Sequence, residues 1–166
     1  MADKHVPKNR IRKYFFTIAP LCFLLFLSCG KFQSSISLKS DETIIDAGKN
    51  MKWAFGNNYT SWTPESKDIE SAETILSKAF DDQKKPTVNR LLDRKTDDYF
   101  KQFVGFVDAN GDKIIWVNCF CKGEESSFKN WKNRVVFVSD GGNCFFNVKI
   151  NITKNTYYDL MVNGVA

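Results

Sequence analysis

Histidine is nearly missing from this chain, which holds one, His5, in 166 residues. Beyond that position there is no imidazole to act as the base of a Ser-His-Asp or Cys-His pair near neutral pH. Most catalytic zinc sites lack a ligand for the same reason. What is left for catalysis is a carboxylate pair, a lysine base or cysteine redox chemistry, and no spacing announces any of them, so no catalytic residue, metal or cofactor is expected. A long hydrophobic run is missing too. Tyr14 to Leu27 make an apolar stretch of fourteen residues, interrupted by Pro20, short of the roughly 20 a helix needs to cross hydrocarbon. A permanent membrane span is the weaker expectation.

That stretch follows Lys4, Lys8, Arg10, Arg12 and Lys13 and runs into Ser28, Cys29 and Gly30. Charged, apolar and small residues in this order make an export signal. Phe26-Leu27-Ser28-Cys29 resembles a lipobox, the Leu-small-small-Cys motif of bacterial lipoproteins, with Phe26 where Leu is usual and Leu27 where a small residue is usual. The resemblance implies that residues 1–28 are a signal peptide that is removed and that Cys29 is the lipid attachment site. The membrane is then reached through acyl chains.

Net charge is the third thing in short supply. Of the 24 basic and 19 acidic residues, five and one fall within residues 1–28, which leaves 19 and 18 and a net charge of +1 on the mature chain. The basic character belongs to the targeting segment. Nucleic-acid binding, which needs a basic stripe on the folded domain, is not expected.

Residues 29–50 are polar, with Gln33-Ser34-Ser35 and Ser37 to Ser40, and show no sustained period, so they read as a lipidated Cys followed by a flexible tether. Residues 51–166 are long enough to enclose one core and read as a single domain. Trp53, Phe55, Tyr59 and Trp62 surround a turn at Gly56-Asn57-Asn58 and are expected beneath a helix, with an exposed ligand platform as the alternative. Thr63-Pro64-Glu65 is a helix start with Thr63 as N-cap. Ile69, Ala72, Ile75, Leu76, Ala79 and Phe80 then recur at helical spacing, and Lys84-Lys85-Pro86 ends the helix. Leu91 and Leu92 fall in a short helix or an ordered loop.

After Tyr99 the period changes to two. Phe100 to Val107 and Lys113 to Cys121 read as strands joined by an Asp108 to Asp112 hairpin turn. Arg134 to Ser139 reads as a third strand. The fourth puts Cys144, Phe146, Val148, Ile150 and Ile152 on one face, and Tyr157 to Val162 is the fifth. The fold class is therefore α+β, one long helix packed on a roughly five-stranded antiparallel sheet. The order of elements looks like cystatin-like or peptidase-propeptide-like layouts, which do not by themselves license a function.

Trp62-Thr63-Pro64, the tract Ile115 to Cys121 and Asp140-Gly141-Gly142-Asn143-Cys144-Phe145-Phe146-Asn147 are similar to stretches of small envelope lipoproteins of Bacteroidota. The resemblance covers about Trp62 to Gly164 and carries no activity to transfer. In that group surface export is linked to acids just after the lipidated Cys, whereas here Gly30-Lys31-Phe32-Gln33 intervenes and the first acid is Asp41. The resemblance thus implies a lipid-anchored domain in the bacterial envelope, facing the periplasm.

Four sets of residues could carry chemistry. Asp108, Asn110 and Asp112 have calcium-loop spacing, but Lys113 stands where that loop needs Gly and Cys119 where it needs a bidentate Glu, so a hairpin turn is expected. Cys119 and Cys121 share a strand face and sit too far apart to bond each other, which leaves three buried thiols, a disulfide from Cys144 to Cys119 or Cys121, or a reactive or metal-binding role. Asp140-Gly141-Gly142-Asn143 is a turn whose backbone N–H groups could meet an anion. Trp131, flanked by Lys129 and Lys132, is a candidate contact for a partner or sugar, with core capping as its alternative. Asp140, Asn143 and Trp131 together form the expected partner contact.

The expected function is a non-enzymatic, membrane-anchored binding or inhibitory module whose partner is an envelope protein or a glycan. The alternative is a carboxylate-dependent envelope hydrolase acting on glycans, which needs two acids at a suitable separation. A structural role in a larger complex would instead show as a large exposed apolar patch.

Overall fold

The computed structural model describes residues 37–48, 51–85 and 92–165. All of them lie within one compact unit, Ser34–Ala166. Cys29, the signal segment and Leu91 lie outside the described residues. In chain order the elements are β1 (Glu42–Ile44), α1 (Lys52–Phe55), β2 (Thr60–Ser61), α2 (Ser66–Gln83), β3 (Tyr99–Val107), β4 (Lys113–Cys121), β5 (Phe145–Asn151) and β6 (Thr156–Val162). The result is α+β, one long helix on a mixed six-stranded sheet of order β1-β3-β4-β5-β6, with β2 also paired to β3.

The β3–β4 hairpin sets the register of the rest. Tyr99 faces Cys121 at one end and Val107 faces Lys113 at the other, an unbroken antiparallel ladder. Asp108 closes the turn, its Oδ1 accepting the backbone N–H of Asn110 at 2.9 Å and of Asp112 at 3.0 Å. The period-two alternation then sorts the side chains. Tyr99, Phe103, Ile115, Val117, Cys119, Phe146, Val148 and Ile150 form one face, and α2 lays Ile69, Ala72, Ile75, Leu76 and Phe80 upon it. Each fully buried Leu, Ile or Phe on that helix contributes on the order of 1.5–3 kcal/mol.

Three parts of the sequence reading are corrected here. The sheet is not wholly antiparallel, because β1 runs parallel to β3 with Glu42 opposite Lys101. This strand lies in the stretch assigned to the tether, and it is held by Lys101 N–H to the Asp41 carbonyl and Ile45 N–H to the Phe103 carbonyl, both 2.9 Å. The folded part therefore starts before residue 51. Secondly, Arg134–Ser139 is not a strand. Its backbone bonds to side chains that stand on the sheet: Gln102 Nε2 donates to the Arg134 carbonyl at 2.7 Å, Gln102 Oε1 accepts from Val136 N–H at 2.8 Å, and Asn118 Nδ2 donates to the Val136 carbonyl at 2.8 Å. The segment crosses the face of the sheet and extends neither edge.

Thirdly, the N-cap of α2 is Glu65, two residues past Thr63. Asp68 in the first turn accepts the Glu65 backbone N–H at 2.8 Å, which satisfies a donor the helix end would otherwise orphan. Pro64 is buried instead against β3 at Gly105, where any Cβ would collide with the Trp62 carbonyl and the Pro64 ring.

The second face of the sheet is covered as well. Val104, Phe106, Ile114 and Trp116 lie under Ala47 and Met51, with Phe55 and Tyr59 packed alongside. Phe120 lies under Trp131 and Val136, with Phe100 and Phe128 at their sides. The aromatics before α2 thus divide. Phe55 stacks on Phe106 with ring centroids 4.0 Å apart, and Trp62 packs against the helix-side core.

Candidate functional site

Two segments cross the second face side by side and leave a groove between them. One wall is Ile45 to Gly48 with Met51 and Trp53, and the other is Asn133 to Val135 with Phe137; the space between them is about 700 Å³. Tyr59 fixes the first wall, its hydroxyl donating to the Gly48 carbonyl at 2.8 Å and accepting Met51 N–H at 3.1 Å. The second wall is fixed by the Gln102 and Asn118 bonds given above. Both walls are thus tied down by side chains buried or half-buried beneath them.

Trp53 and Phe137 stand at the rim, 57% and 71% exposed. Their rings meet edge-on with centroids 5.5 Å apart, and Trp53 meets the buried Trp116 in the same way at 5.6 Å. Trp116 satisfies its own indole by donating to Asn147 Oδ1 at 3.0 Å. A second depression of about 500 Å³, lined by Trp53, Phe137, Asn147, Lys149, Asp159 and Met161 among others, continues from the same aromatic pair towards β6. A third, also about 500 Å³, lies across the Arg134–Phe137 ridge against Phe128 and Trp131.

The polar groups of the main groove differ in their commitments. Asp46 Oδ1 accepts from Ser61 Oγ at 2.6 Å and from Gly48 N–H at 3.0 Å. The Ser61 bond first and the Gly48 bond second hold its carboxyl below the usual range, so Asp46 is charged. Among the described residues Arg134 and Lys129 take part in no ion pair. Lys132 lies over the Trp131 ring at 5.3 Å.

The residues singled out in the sequence are dispersed. Trp131 is only 8% exposed and packs on Phe100 at 4.8 Å and Phe120 at 5.8 Å, which makes it part of the core and leaves little of it for a partner. Asp140 is exposed, and its carbonyl accepts from Asn163 Nδ2 at 3.0 Å. Asn143 is half-buried; its Nδ2 donates to Asp93 Oδ1 and its carbonyl accepts the Tyr99 hydroxyl at 2.8 Å. Neither lines the grooves described above. The glycines between them adopt φ of 89° and 59°, the left-handed backbone that favours this residue in a turn, and Gly142 N–H donates to the Gly164 carbonyl at 2.9 Å.

Cys121 and Cys144 form a disulfide. Cys119 remains a free, buried thiol whose pKa burial pushes well up. Asp108 and Asp112 spend carboxylate oxygens within the fold, Asp108 on the Asn110 and Asp112 backbone N–H groups and Asp112 Oδ2 accepting from Asn151 Nδ2 at 2.9 Å and from Lys154 Nζ at 2.5 Å. Among the described residues no three His, Cys, Asp or Glu side chains are grouped to hold a metal ion.

What the sequence reading missed is the rim. Trp53 belongs to the aromatic group expected beneath a helix, and Phe137 lies inside the apolar run Val135 to Val138, where nothing marks one residue as outward. Knowing that Val136 turns down, its N–H and carbonyl both bonded to sheet side chains, would have pointed its neighbour Phe137 up. No family model, curated protein or solved structure matches this chain.

Proposed function

We propose that this chain is a membrane-anchored, non-catalytic binding module of the bacterial envelope, and that the groove between Trp53 and Phe137 is its binding site. The observation that carries the reading is the pair of exposed aromatic rings held edge-to-face over a pinned groove. Exposed large aromatics at a concave site are the groups that supply most contact energy in recognition. The anchored placement is supported by the lipobox-like residues ending at Cys29, and the Cys121–Cys144 disulfide is of the kind that persists in oxidising compartments such as the periplasm. A helix laid on a sheet is also compatible with a cystatin-like or propeptide-like inhibitory layout, with the parallel β1 as a departure.

The hydrolase alternative gains no specific support. Among the described residues Asp46 is the one acid lining the main groove, and its pKa is lowered where a general acid needs it raised.

The reading is tested by crosslinking whole envelopes that carry the full chain and identifying what Phe137→Ala and Trp53→Ala lose. Both variants are expected to keep the wild-type melting temperature within a few degrees and to lose the crosslinked partner. Trp131→Ala, by contrast, should lose about 3–5 kcal/mol of stability, the range for a buried Trp truncated to Ala. Unchanged crosslinks in both rim variants would sink the site. Incorporation of a labelled fatty acid that Cys29→Ala abolishes tests the anchor separately.

A further inference from the structure

We infer that the groove takes a saccharide bearing a carboxylate, with the Trp53 and Phe137 rings against the sugar faces and the Arg134 guanidinium on the carboxylate. The inference rests on the binding-module reading and adds the ligand class. Three features of the groove select it.

The first is the mixture of polar groups around the rings. A sugar offers an apolar C–H face and an edge of hydroxyls that donate and accept. Asp46 is charged and can only accept, Arg134 can only donate, and Asn133 can do both. An apolar helix would leave Arg134 and Asn133 desolvated and unpaired, a cost of roughly 1–3 kcal/mol or more for each, and would strip water from the charged Asp46 as well.

The second is the condition of the neighbouring sheet edge. An extended peptide would be expected to add to β6, the free edge nearest the aromatic pair. The β5–β6 ladder shifts register between Asn147 and Lys149 of β5, and β6 itself carries Asp159 at φ 49°, the kind of irregularity that blocks strand addition. Backbone pairing is thus disfavoured, and side-chain recognition in the groove is left.

The third is charge. Arg134 lines the main groove with no acidic partner among the described residues, and Lys129 lies across the ridge in the same condition. Many lysines elsewhere on the fold are paired, among them Lys39, Lys101, Lys122 and Lys154. A planar guanidinium with free donors fits a carboxylate in two parallel bonds. That complementarity favours an acidic sugar over a neutral one. Because both walls are pinned, little ordering cost opposes binding.

The experiment is titration calorimetry of the full chain in detergent with four- to six-sugar oligomers of polygalacturonate, alginate and hyaluronate, and with the same oligomers after their carboxyls are reduced to alcohols. At least one acidic oligomer is expected to bind, and its reduced form to bind at least tenfold more weakly. Arg134→Gln should erase that difference, Arg134→Lys should restore part of it, and Phe137→Ala should weaken both forms. No binding of any acidic oligomer, equal binding of acidic and reduced forms, or a preference that survives in Arg134→Gln would each overturn the inference. If the acidic oligomers fail while Phe137→Ala still loses its envelope crosslink, the ligand class is wrong and the module stands. If that crosslink is also unaffected by the rim variants, both fall.

Discussion

Asp112 ends the β3–β4 turn with its carboxylate between Lys154 and Asn151, and the Lys154 bond is the main reason its pKa is lowered. A lowered folded-state pKa gives a definite sign. The stabilisation is complete above the ordinary carboxylate pKa of about 4 and disappears as pH falls through the lower folded value. Asp112→Asn should therefore reduce the urea midpoint at pH 7, and the gap between the two proteins should close as the pH falls below the ordinary carboxylate range. A gap that is constant across that range would show that the charge on Asp112 is not what matters. Lys101 makes a different point about single residues. It is buried opposite Glu42 and 2.9 Å from Glu73, so its charge is matched inside the fold, whereas that of Arg134 is left for something outside it.

At the level of elements, Gly105 marks a close approach between two of them. It sits in β3 under the Trp62–Pro64 passage into α2, its carbonyl oxygen accepting Trp62 N–H at 3.1 Å. Gly105→Ala should cost about 1–3 kcal/mol, the usual range for overpacking, and urea unfolding would measure it; a neutral result would mean the passage can lift away. The elements that could be read in the sequence were those with enough residues to show a period. The helix face from Ile69 to Phe80 and the alternation of Phe146, Val148 and Ile150 repeat often enough to be recognised, and the Asp108–Asp112 turn marks its own hairpin. β1 and β2 have three and two residues, too few for any alternation to appear. Arg134–Ser139 has strand composition without strand partners, because Gln102 and Asn118 claim its backbone, and those two polar residues lie far away in the chain. The groove was hidden for the same reason. Its walls come from segments about eighty residues apart, and exposure of Trp53 or Phe137 follows from which neighbours are pulled down, which no local pattern records.

Across the whole molecule, the sheet is buried on both faces but by unlike means. A regular helix covers one, and irregular chain tied by polar side chains covers the other. The irregular segment between β4 and β5 lies within the loop that the Cys121–Cys144 disulfide closes, joining positions 23 apart, while both cysteines pack into the helix-side core. Reduction, or a paired Cys121→Ser and Cys144→Ser change, is expected to lower stability by about 3 kcal/mol, the size given by loop closure over that length. In the same folded protein Cys119 should not react with a thiol reagent until urea unfolds it. An unchanged midpoint under reductant, or prompt labelling of Cys119 in the native state, would contradict this arrangement.

The parallel pairing of β1 would have a mechanical meaning under the anchored reading proposed above. Any force arriving from the amino-terminal side meets this strand first. Drawn along its own length, a strand running parallel to its neighbour strains its rungs together, whereas the arm of a hairpin peels away rung by rung. With Glu42 facing Lys101 across that seam, such a load would be borne by β1 before it reached Ile45 to Gly48, the groove wall that follows it directly in the chain.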